Sequence, residues 1–409
     1  SDGGTLILST SRATVVAKFE GIPSGVNGAM PLSRDRILSW GFDRTLKLWS
    51  SSARPSAMRQ GHMRSIAHVE SLPDSRFLTW SDDSTLRLWT ADGVSTALLE
   101  GHRGKIWGAI RLSDGRLLSW ARDGTLRSWS SGGVPIAIFE GHGTLVRGAL
   151  ELEDGRILSW SMDHTLRLWT SNGMPTAILK GHLRPVSRAL VLPDGHFLSW
   201  SDDSTLRLWA ADGVQTAVLS GHSKRILGAR VLPDGRILSW GDPTIRIWTA
   251  DGSPNAVIEA HSNDVSDVLV LSDGRFLSWS NHGPARLWTS FGTLVAEFNG
   301  HLGSIHRFIE LDDGRLLSWS SGSLRLWHAD GTPLTILDVS GVDIKDVEVL
   351  RDGRFLSWSR NGTFRVWSGN GTSNIVFEGH SSDVSGVSQV TDGRVGSWSK
   401  DNTLRLWTS

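Results

Sequence analysis

The sequence of 409 residues contains no cysteine and no tyrosine, and its formal net charge is zero. The lack of cysteine excludes disulfides, thiolate metal ligands and cysteine nucleophiles. The balanced charge gives no overall attraction to nucleic acid or to an anionic membrane. No apolar run approaches the ~20 residues of a membrane-spanning helix, and residues 1–10 lack a signal-peptide pattern. We therefore predict a cytoplasmic protein that binds neither nucleic acid nor membrane.

Tryptophan, in contrast, occurs 21 times. All but Trp107 fall in two series, from Trp40 to Trp398 and from Trp49 to Trp407, with steps of 39 or 40 residues. Such a fixed period indicates a repeat architecture. Length alone would suggest several domains, because single cores stop growing near ~250–300 residues. The unbroken period instead predicts one domain of ten repeats over residues 1–409.

Residues 181–220 show how one repeat is built. A Gly-His pair opens it, and three further runs follow the first apolar run: HFLSWS, TLRLW and a last short run at 216–219. Strict alternation in TLRLW indicates a strand, and Pro-Asp-Gly and Asp-Gly indicate tight turns. We predict four short antiparallel strands per repeat. Because such a sheet is apolar on both faces, it must stack on its copies, and radial stacking gives an all-β fold, a β-propeller of ten blades.

The recurring Gly-His, the turn aspartate and the strand-ending tryptophan resemble the WD-repeat (WD40-like) β-propeller family, in particular bacterial members with recently amplified, near-uniform blades. The resemblance implies that each repeat supplies the outer strand of one blade and three inner strands of the next. It also implies a buried, hydrogen-bonded structural set in each blade. These sets are His62, Thr79, Asp83 and Trp89; His102, Ser119, Asp123 and Trp129; His142, Ser159, Asp163 and Trp169; His182, Ser199, Asp203 and Trp209; and His380, Ser397, Asp401 and Trp407.

Several repeats depart from the family pattern. The aspartate that follows the family tryptophan is absent throughout, and Ile22 and Val342 replace the histidine in repeats 1 and 9. His282 and Asn361 replace the turn aspartate in repeats 7 and 9, and repeats 6 and 8 have a shorter turn. The structural sets should therefore be most complete in repeats 2–5 and 10.

The two ends of the chain are expected to meet in the last blade. Residues 15–20 align with a fourth strand and should close this blade beside residues 404–407. Residues 5–8 (TLIL) also resemble a strand, so that residues 1–13 form an extra half-repeat. This strand caps an edge, pairs out of register, or marks excision from a longer protein. Because known propellers have about 4–8 blades, two rings, or a ring completed by a second molecule, are alternatives to one ring.

The recurring His, Ser and Asp match the residue types of a hydrolase triad, but ten copies of a triad make no enzymatic sense. Single histidines about 40 residues apart lack metal-ligand spacing. No calcium loop and no phosphate-binding glycine loop is present. We therefore predict no catalytic residue, no metal and no cofactor. The basic residues of the third strands, from Lys47 to Arg405, should pair with acidic groups or pack on tryptophan rather than form a cationic ring.

The residues after each Gly-His vary most, and the resemblance implies that they lie on one face around the channel. Repeats 2–6 are basic there and repeats 7, 9 and 10 are mainly acidic. The candidate partner-binding residues are Arg64, Arg103, Lys105, Trp107, Arg147, Arg184, Arg188, Lys224 and Arg225. The acidic residues are Asp264, Asp267, Asp343, Asp346, Glu348 and Asp383. The basic and acidic residues are either two solvated surfaces without a binding role, or one face that docks a partner, or one face that pairs with a second copy of the chain.

We predict a non-catalytic protein-interaction scaffold or sensor propeller that docks an acidic segment of another protein. The resemblance implies bacterial relatives beside signalling nucleoside-triphosphatase modules. The alternative is a carbohydrate-binding, lectin-like propeller, which would expose one tryptophan per repeat.

Overall fold

The computed structural model describes residues 11–12, 15–19, 26–32, 36–50, 55–301, 303–337, 343–350, 352–389 and 394–407. In these residues every regular element is a β-strand. The strands form ten sheets, so the predicted all-β, ten-bladed propeller fold is confirmed. The chain divides into two compact units, which are described separately: unit 1 holds blades 1 and 8–10, and unit 2 (Gly61–Gly300) holds blades 2–7. A single ring over residues 1–409 stays a prediction.

The strands are named in chain order, and the four strands of a blade are called a to d. Two strands precede blade 1: β1 (Ser11–Arg12) and β2 (Val15–Phe19). Blade 1 contains β3 (Val26–Leu32), β4 (Arg36–Gly41), β5 (Thr45–Ser50) and β6 (Pro55–Gln60).

Unit 2 contains six blades. They are β7 (Ile66–Ser71), β8 (Phe77–Ser81), β9 (Leu86–Trp89) and β10 (Ser95–Leu99) in blade 2; β11 (Ile106–Arg111), β12 (Leu117–Ala121), β13 (Leu126–Trp129) and β14 (Pro135–Phe139) in blade 3; β15 (Val146–Glu151), β16 (Ile157–Ser161), β17 (Leu166–Trp169) and β18 (Pro175–Leu179) in blade 4; β19 (Val186–Val191), β20 (Phe197–Ser201), β21 (Leu206–Trp209) and β22 (Gln215–Leu219) in blade 5; β23 (Gly228–Val231), β24 (Ile237–Trp240), β25 (Thr244–Trp248) and β26 (Pro254–Glu259) in blade 6; and β27 (Val265–Val270), β28 (Phe276–Ser280), β29 (Ala285–Trp288) and β30 (Leu294–Phe298) in blade 7.

Unit 1 also contains the last three blades. They are β31 (Ile305–Glu310), β32 (Leu316–Ser320), β33 (Ser323–Trp327) and β34 (Pro333–Leu337) in blade 8; β35 (Ile344–Val349), β36 (Phe355–Ser359), β37 (Phe364–Trp367) and β38 (Ser373–Phe377) in blade 9; and β39 (Val384–Gln389), β40 (Val395–Ser399) and β41 (Leu404–Trp407) in blade 10.

The chain ends meet in blade 10 as predicted. Strand β2 pairs antiparallel with β41, with Phe19 opposite Leu404, and serves as strand d of this blade. Strand β1 pairs in parallel with β38 and makes blade 9 five-stranded. Residues 5–8, which the sequence predicts as an extra strand, lie outside the described residues.

Burial follows the position of a strand in its blade. Strand b is buried along its whole length in blades 3–5, because neighbouring blades of unit 2 cover both faces. In unit 2, for example, Leu88 and Leu99 of blade 2 pack with Ile106 and Trp129 of blade 3. Strand d is exposed at most positions. Stacking therefore buries the apolar residues that a single sheet would expose.

The first tryptophan series packs over strand a. Trp160 of strand b lies opposite Gly148 of strand a, and a Cβ atom on Gly148 would be 2.2 Å from Cζ2 of Trp160. The same glycine–tryptophan pair occurs in blades 1, 3, 6 and 10. The indole ring thus takes the space of a side chain on the neighbouring strand.

The turns between strands a and b link consecutive blades of unit 2. Nε of Arg116 donates to Oδ2 of Asp114 at 2.6 Å, and Nη1 donates to the carbonyl oxygen of Ser171 in the next blade at 2.7 Å. Arg76 and Arg156 make the corresponding interblade bonds, also at 2.7 Å. This contact was not predicted from the sequence.

Candidate functional site

The structural sets bring a loop, a strand and a turn together inside each blade. In blade 4, Nε2 of His142 lies 2.8 Å from Oγ of Ser159, and its Nδ1 lies 2.8 Å from Oδ2 of Asp163. Nε1 of Trp169 donates to the same Ser159 hydroxyl at 2.8 Å. In blades 2, 3, 5 and 10 the corresponding atoms lie 2.7–3.2 Å apart.

The ionisation of these groups follows from their burial and bonding. Burial opposes ionisation of Asp163, but the bonds from His142 and Thr165 outweigh it and hold the pKa of Asp163 well below its usual range. Burial lowers the pKa of His142 despite the carboxylate beside it. Ser159 is fully buried and its oxygen accepts the Trp169 N–H. A substrate therefore cannot reach the Ser159 hydroxyl to undergo a nucleophilic reaction. The hydrogen bonds of the set instead hold the loop, the strand and the turn of the blade together.

Blade 6 has a complete set that was not predicted from the sequence. Despite the shorter turn, Nδ1 of His222 lies 3.1 Å from Oδ1 of Asp242, and Nε2 lies 2.9 Å from Ser239. The backbone N–H of Ser223 donates to Asp242 at 2.7 Å. The deletion therefore shortens the turn without removing its carboxylate, which is visible in the sequence as Asp242-Pro243-Thr244.

Blades 7 and 8 lack the carboxylate. His261 still lies 2.8 Å from Ser278, and His301 lies 2.7 Å from Ser318. Burial without a carboxylate partner, together with a nearby arginine, lowers the pKa of each of these histidines to about 4. Ile22 and Val342, the replacements in repeats 1 and 9, lie outside the described residues.

The basic residues of strand c pack on the tryptophans of the second series. The guanidinium carbons of Arg167, Arg325, Arg365 and Arg405 lie 5.8 or 5.9 Å from the ring centroid of the tryptophan two residues later. Nε of Arg286 donates to Glu297 at 2.8 Å.

The nine candidate partner-binding residues all belong to unit 2, and we call them the basic surface. They are Arg64, Arg103, Lys105, Trp107, Arg147, Arg184, Arg188, Lys224 and Arg225; Arg147 is half-buried and the other eight are exposed.

Three members of the basic surface are neutralised by ion pairs. Lys105 lies 2.8 Å from Asp82, and Lys224 lies 2.7 Å from Asp264. The Arg147–Asp202 pair is longer, at 3.8 Å. In the described part of the chain, no ion pair involves the side chains of the remaining five arginines, Arg64, Arg103, Arg184, Arg188 and Arg225. They therefore carry the excess positive charge.

The turn between strands b and c shares this surface, because Asp83 accepts a bond from the backbone N–H of Met63 at 2.7 Å. This turn adds Arg122, which is exposed. Arg64, Arg103 and Arg122 line a groove of about 690 Å³ between the loops of blades 2 and 3. Asp82 and Asp83 also line it, but they are paired with Lys105 and His62. Arg122 is not among the residues predicted from the sequence, because those lie only after Gly-His, whereas hydrogen bonding joins the two loops in the fold.

Trp107 is the most exposed tryptophan, with 53% of its surface accessible. It lines a second groove, of about 330 Å³, with His68, Trp80 and Lys105. The second series is almost fully buried, and the first series is buried in blades 2–9 and half-buried at Trp40 and Trp398. Neither series presents the exposed ring per blade that sugar stacking requires.

The predicted acidic residues are partly neutralised. In unit 1, Lys345 and Lys400 lie 3.4 and 2.8 Å from Asp383, and Arg360 lies 3.5 Å from Asp343. Burial raises the pKa of Glu348, and the charge of Asp346 adds to this effect. The acidic residues therefore offer less free charge than their number in the sequence suggests.

Across the described ranges, no three His, Asp or Glu side chains are grouped as metal ligands. No helix in these ranges is long and apolar enough to cross a membrane.

Known proteins resemble the chain in sequence and in fold. The family model "WD domain, G-beta repeat" matches residues 173–210, 213–249 and 371–408. No curated protein sequence matches the chain. The crystal structure of the computationally designed Ika8 protein is 18% identical and covers 97% of this chain and 99% of its own, with a TM-score of 0.50. The WD40 β-propeller domain of Doa1 is 21% identical and covers 77% of this chain and 96% of its own, with a TM-score of 0.41.

The family match covers only some of the repeats, but the other blades have the same strand order and most of them share the tryptophan–serine bond. Proteins of this family are generally non-catalytic and commonly serve as protein-interaction scaffolds. Three segments of the chain therefore match the WD-repeat family model, and the described strands form the ten blades of a β-propeller fold.

Proposed function

We propose that this propeller is a non-catalytic scaffold that docks an acidic segment of another protein on the basic surface of unit 2. The observation that carries the proposal is the groove lined by Arg64, Arg103 and Arg122, whose guanidinium groups are exposed. Arginine forms bidentate hydrogen bonds with carboxylates, and an excess of one charge accelerates the encounter with a partner of the opposite charge.

Trp107 supplies an apolar contact beside this charge. Exposed tryptophan is enriched among residues that dominate binding energy, because it buries a large area at a small cost in side-chain entropy. An acidic segment with one apolar side chain fits both features, the carboxylates near Arg103 and the apolar group near Trp107. The proposal includes a role of the propeller as a sensor in the cytoplasm.

The proposal is tested with a labelled 12-residue peptide of aspartate, glutamate and one leucine, by fluorescence anisotropy with the full chain. We expect binding that weakens as salt rises, because surface charges are screened beyond ~10 Å at 0.1 M salt. The double variant Arg103→Glu/Arg122→Glu should weaken binding at least about tenfold.

The control is Lys180→Glu/Arg111→Glu, which makes the same change in net charge at two exposed residues outside the basic surface. This control should bind as the unchanged chain does. Equal weakening by both variants would mean that only net charge matters, and the assigned surface would then be wrong.

A further inference from the structure

Strand β1 shows that the edge of a blade can accept an additional strand. Ser11 and Arg12 pair in parallel with Ile375 and Val376 of β38, the strand d of blade 9. Val376 is half-exposed, whereas the residue at the same position is exposed in blades 2–5, for example Leu98 at 40% and Ile138 at 46%. The added strand β1 therefore covers the side chain at this position of strand d.

The remaining edges differ in how well they could accept a strand. Strand d begins with proline in blades 1, 3, 4, 6 and 8, at Pro55, Pro135, Pro175, Pro254 and Pro333. Proline and charge at an edge are devices against added strands. In blade 7 the charge is Glu297, which is bonded to Arg286 at 2.8 Å.

Strands β22 and β10 have neither device, but Gln215, the first residue of β22, is bonded to Arg207 of strand c. The sequence of β10, Ser-Thr-Ala-Leu-Leu, is the closer match to β38 (Ser-Asn-Ile-Val-Phe), because both strands start with serine and end in a buried apolar residue. Strand β10 is the last strand of its sheet in the described residues. An edge strand presents unpaired backbone N–H and C=O groups.

We propose that β10 is a second docking site, which binds an extended, uncharged segment of another protein by parallel strand addition. The segment would resemble the residues around β1, with small polar and β-branched side chains, and its backbone would bond to the edge while a side chain covers Leu98. The site differs in chemistry from the basic surface and does not depend on it.

The chain's own β1 is a poor occupant for this edge. Only two residues separate β1 from β2, which is paired in blade 10, so β1 is tethered beside β38. An intramolecular partner acts at an effective concentration of ~mM for a short tether, which a second copy at lower concentration does not match.

The test uses a labelled peptide with the sequence of residues 5–14 carrying Arg12→Gln, acetylated and amidated so that it is uncharged, added to the full chain. We expect saturable binding below ~1 mM and slower hydrogen exchange of the amides of Ser95–Leu99. Leu98→Glu copies blade 7, where glutamate lies opposite the strand c arginine, and should weaken binding at least about tenfold. Met63→Glu, at a site 80% exposed on another loop, is the matched control and should leave binding unchanged.

Three outcomes would overturn the proposal. The first is no saturable binding by the unchanged chain, and the second is protection of amides elsewhere with β10 unaffected. The third is self-association in sedimentation that Leu98→Glu abolishes, which would make a second copy the occupant. The exchange measurement needs no variant, so the proposal remains testable even where Leu98→Glu fails to fold. A failure here leaves the acidic-peptide result at the basic surface unchanged, because the two probes differ in charge.

Discussion

Arg116 of blade 3 donates a hydrogen bond of 2.7 Å from Nη1 to the backbone carbonyl oxygen of Ser171 in blade 4. The carboxylate of Asp114 orients the guanidinium by accepting from Nε at 2.6 Å. One side chain thereby connects the turn of one blade to the backbone of the next. Because the acceptor is a carbonyl oxygen, this link survives sequence changes at the position of Ser171.

Replacing Arg116 with alanine should lower the free energy of unfolding by about 1 kcal/mol, because a charge-assisted bond at a partly buried site is lost. Blade 5 provides the reverse test, since His196 occupies the arginine position. His196→Arg should raise stability by about 0.5–1 kcal/mol. Urea unfolding measures both, with Lys180→Ala as a surface control. A loss in Lys180→Ala equal to that in Arg116→Ala would contradict the interblade role.

Ser128 of strand β13 has a fully buried hydroxyl with no hydrogen-bond partner among the described residues, where blades 2 and 4 have Leu88 and Leu168. A buried hydroxyl without a partner costs about 1–3 kcal/mol. Ser128→Leu should therefore raise the free energy of unfolding by about 1–2 kcal/mol, since it also adds apolar burial. Thermal and urea unfolding measure the gain.

Ser159→Ala is the contrasting variant, because this serine accepts from Trp169 and lies 2.8 Å from His142. It should lose about 2–4 kcal/mol by leaving buried polar groups unpaired. Equal effects of the two serine substitutions would show that the bonding of the hydroxyl does not matter.

Gly148→Ala should lower the free energy of unfolding by about 1–3 kcal/mol through overpacking. Its Cβ would lie 2.2 Å from the Trp160 ring, which itself is buried. The control is Gly143→Ala in the same blade, where a Cβ would have no neighbour within 4 Å. We expect a change below about 0.5 kcal/mol for the control. If alanine at Gly148 is equally harmless, the ring moves freely and the predicted close packing is wrong.

Stability should fall as the pH falls from about 6.5 towards 4, because His261 and His301 have a pKa of about 4 in the folded state and ~6.5 when unfolded. In this window the unfolded chain binds protons that the folded chain does not, so acid favours unfolding. Each site contributes at most about 3 kcal/mol, which is present above the unfolded pKa and lost by the folded pKa.

The measurement is urea unfolding at about pH 7, 5.5 and 4.5. His301→Gln, which can still bond Ser318, should reduce the pH dependence by about one proton. An unchanged slope in this variant would mean that His301 already binds its proton in the folded state. The four histidines with lowered pKa and an aspartate partner, His142, His182, His222 and His380, provide the background that both proteins share.

The sequence determined the repeat, the strands and their class of fold. Period-2 alternation and Gly-containing turns act locally, so TLRLW predicts a strand wherever it stands. The pairing of residues 15–19 with β41 could also be predicted by alignment, since residues 15–20 align with the fourth strand of a repeat.

Tertiary structure alone decided the charge of the surfaces and the contacts between blades. The pairing of Lys105 with Asp82 depends on which turn lies beside the Gly-His loop, and sequence distance gives no measure of that. The bond of Arg116 to Ser171 joins residues 55 positions apart through a carbonyl oxygen, which has no residue-type signature. Local patterns fix local structure because they act within a few residues, whereas electrostatics and interblade bonds depend on distances that exist only after folding.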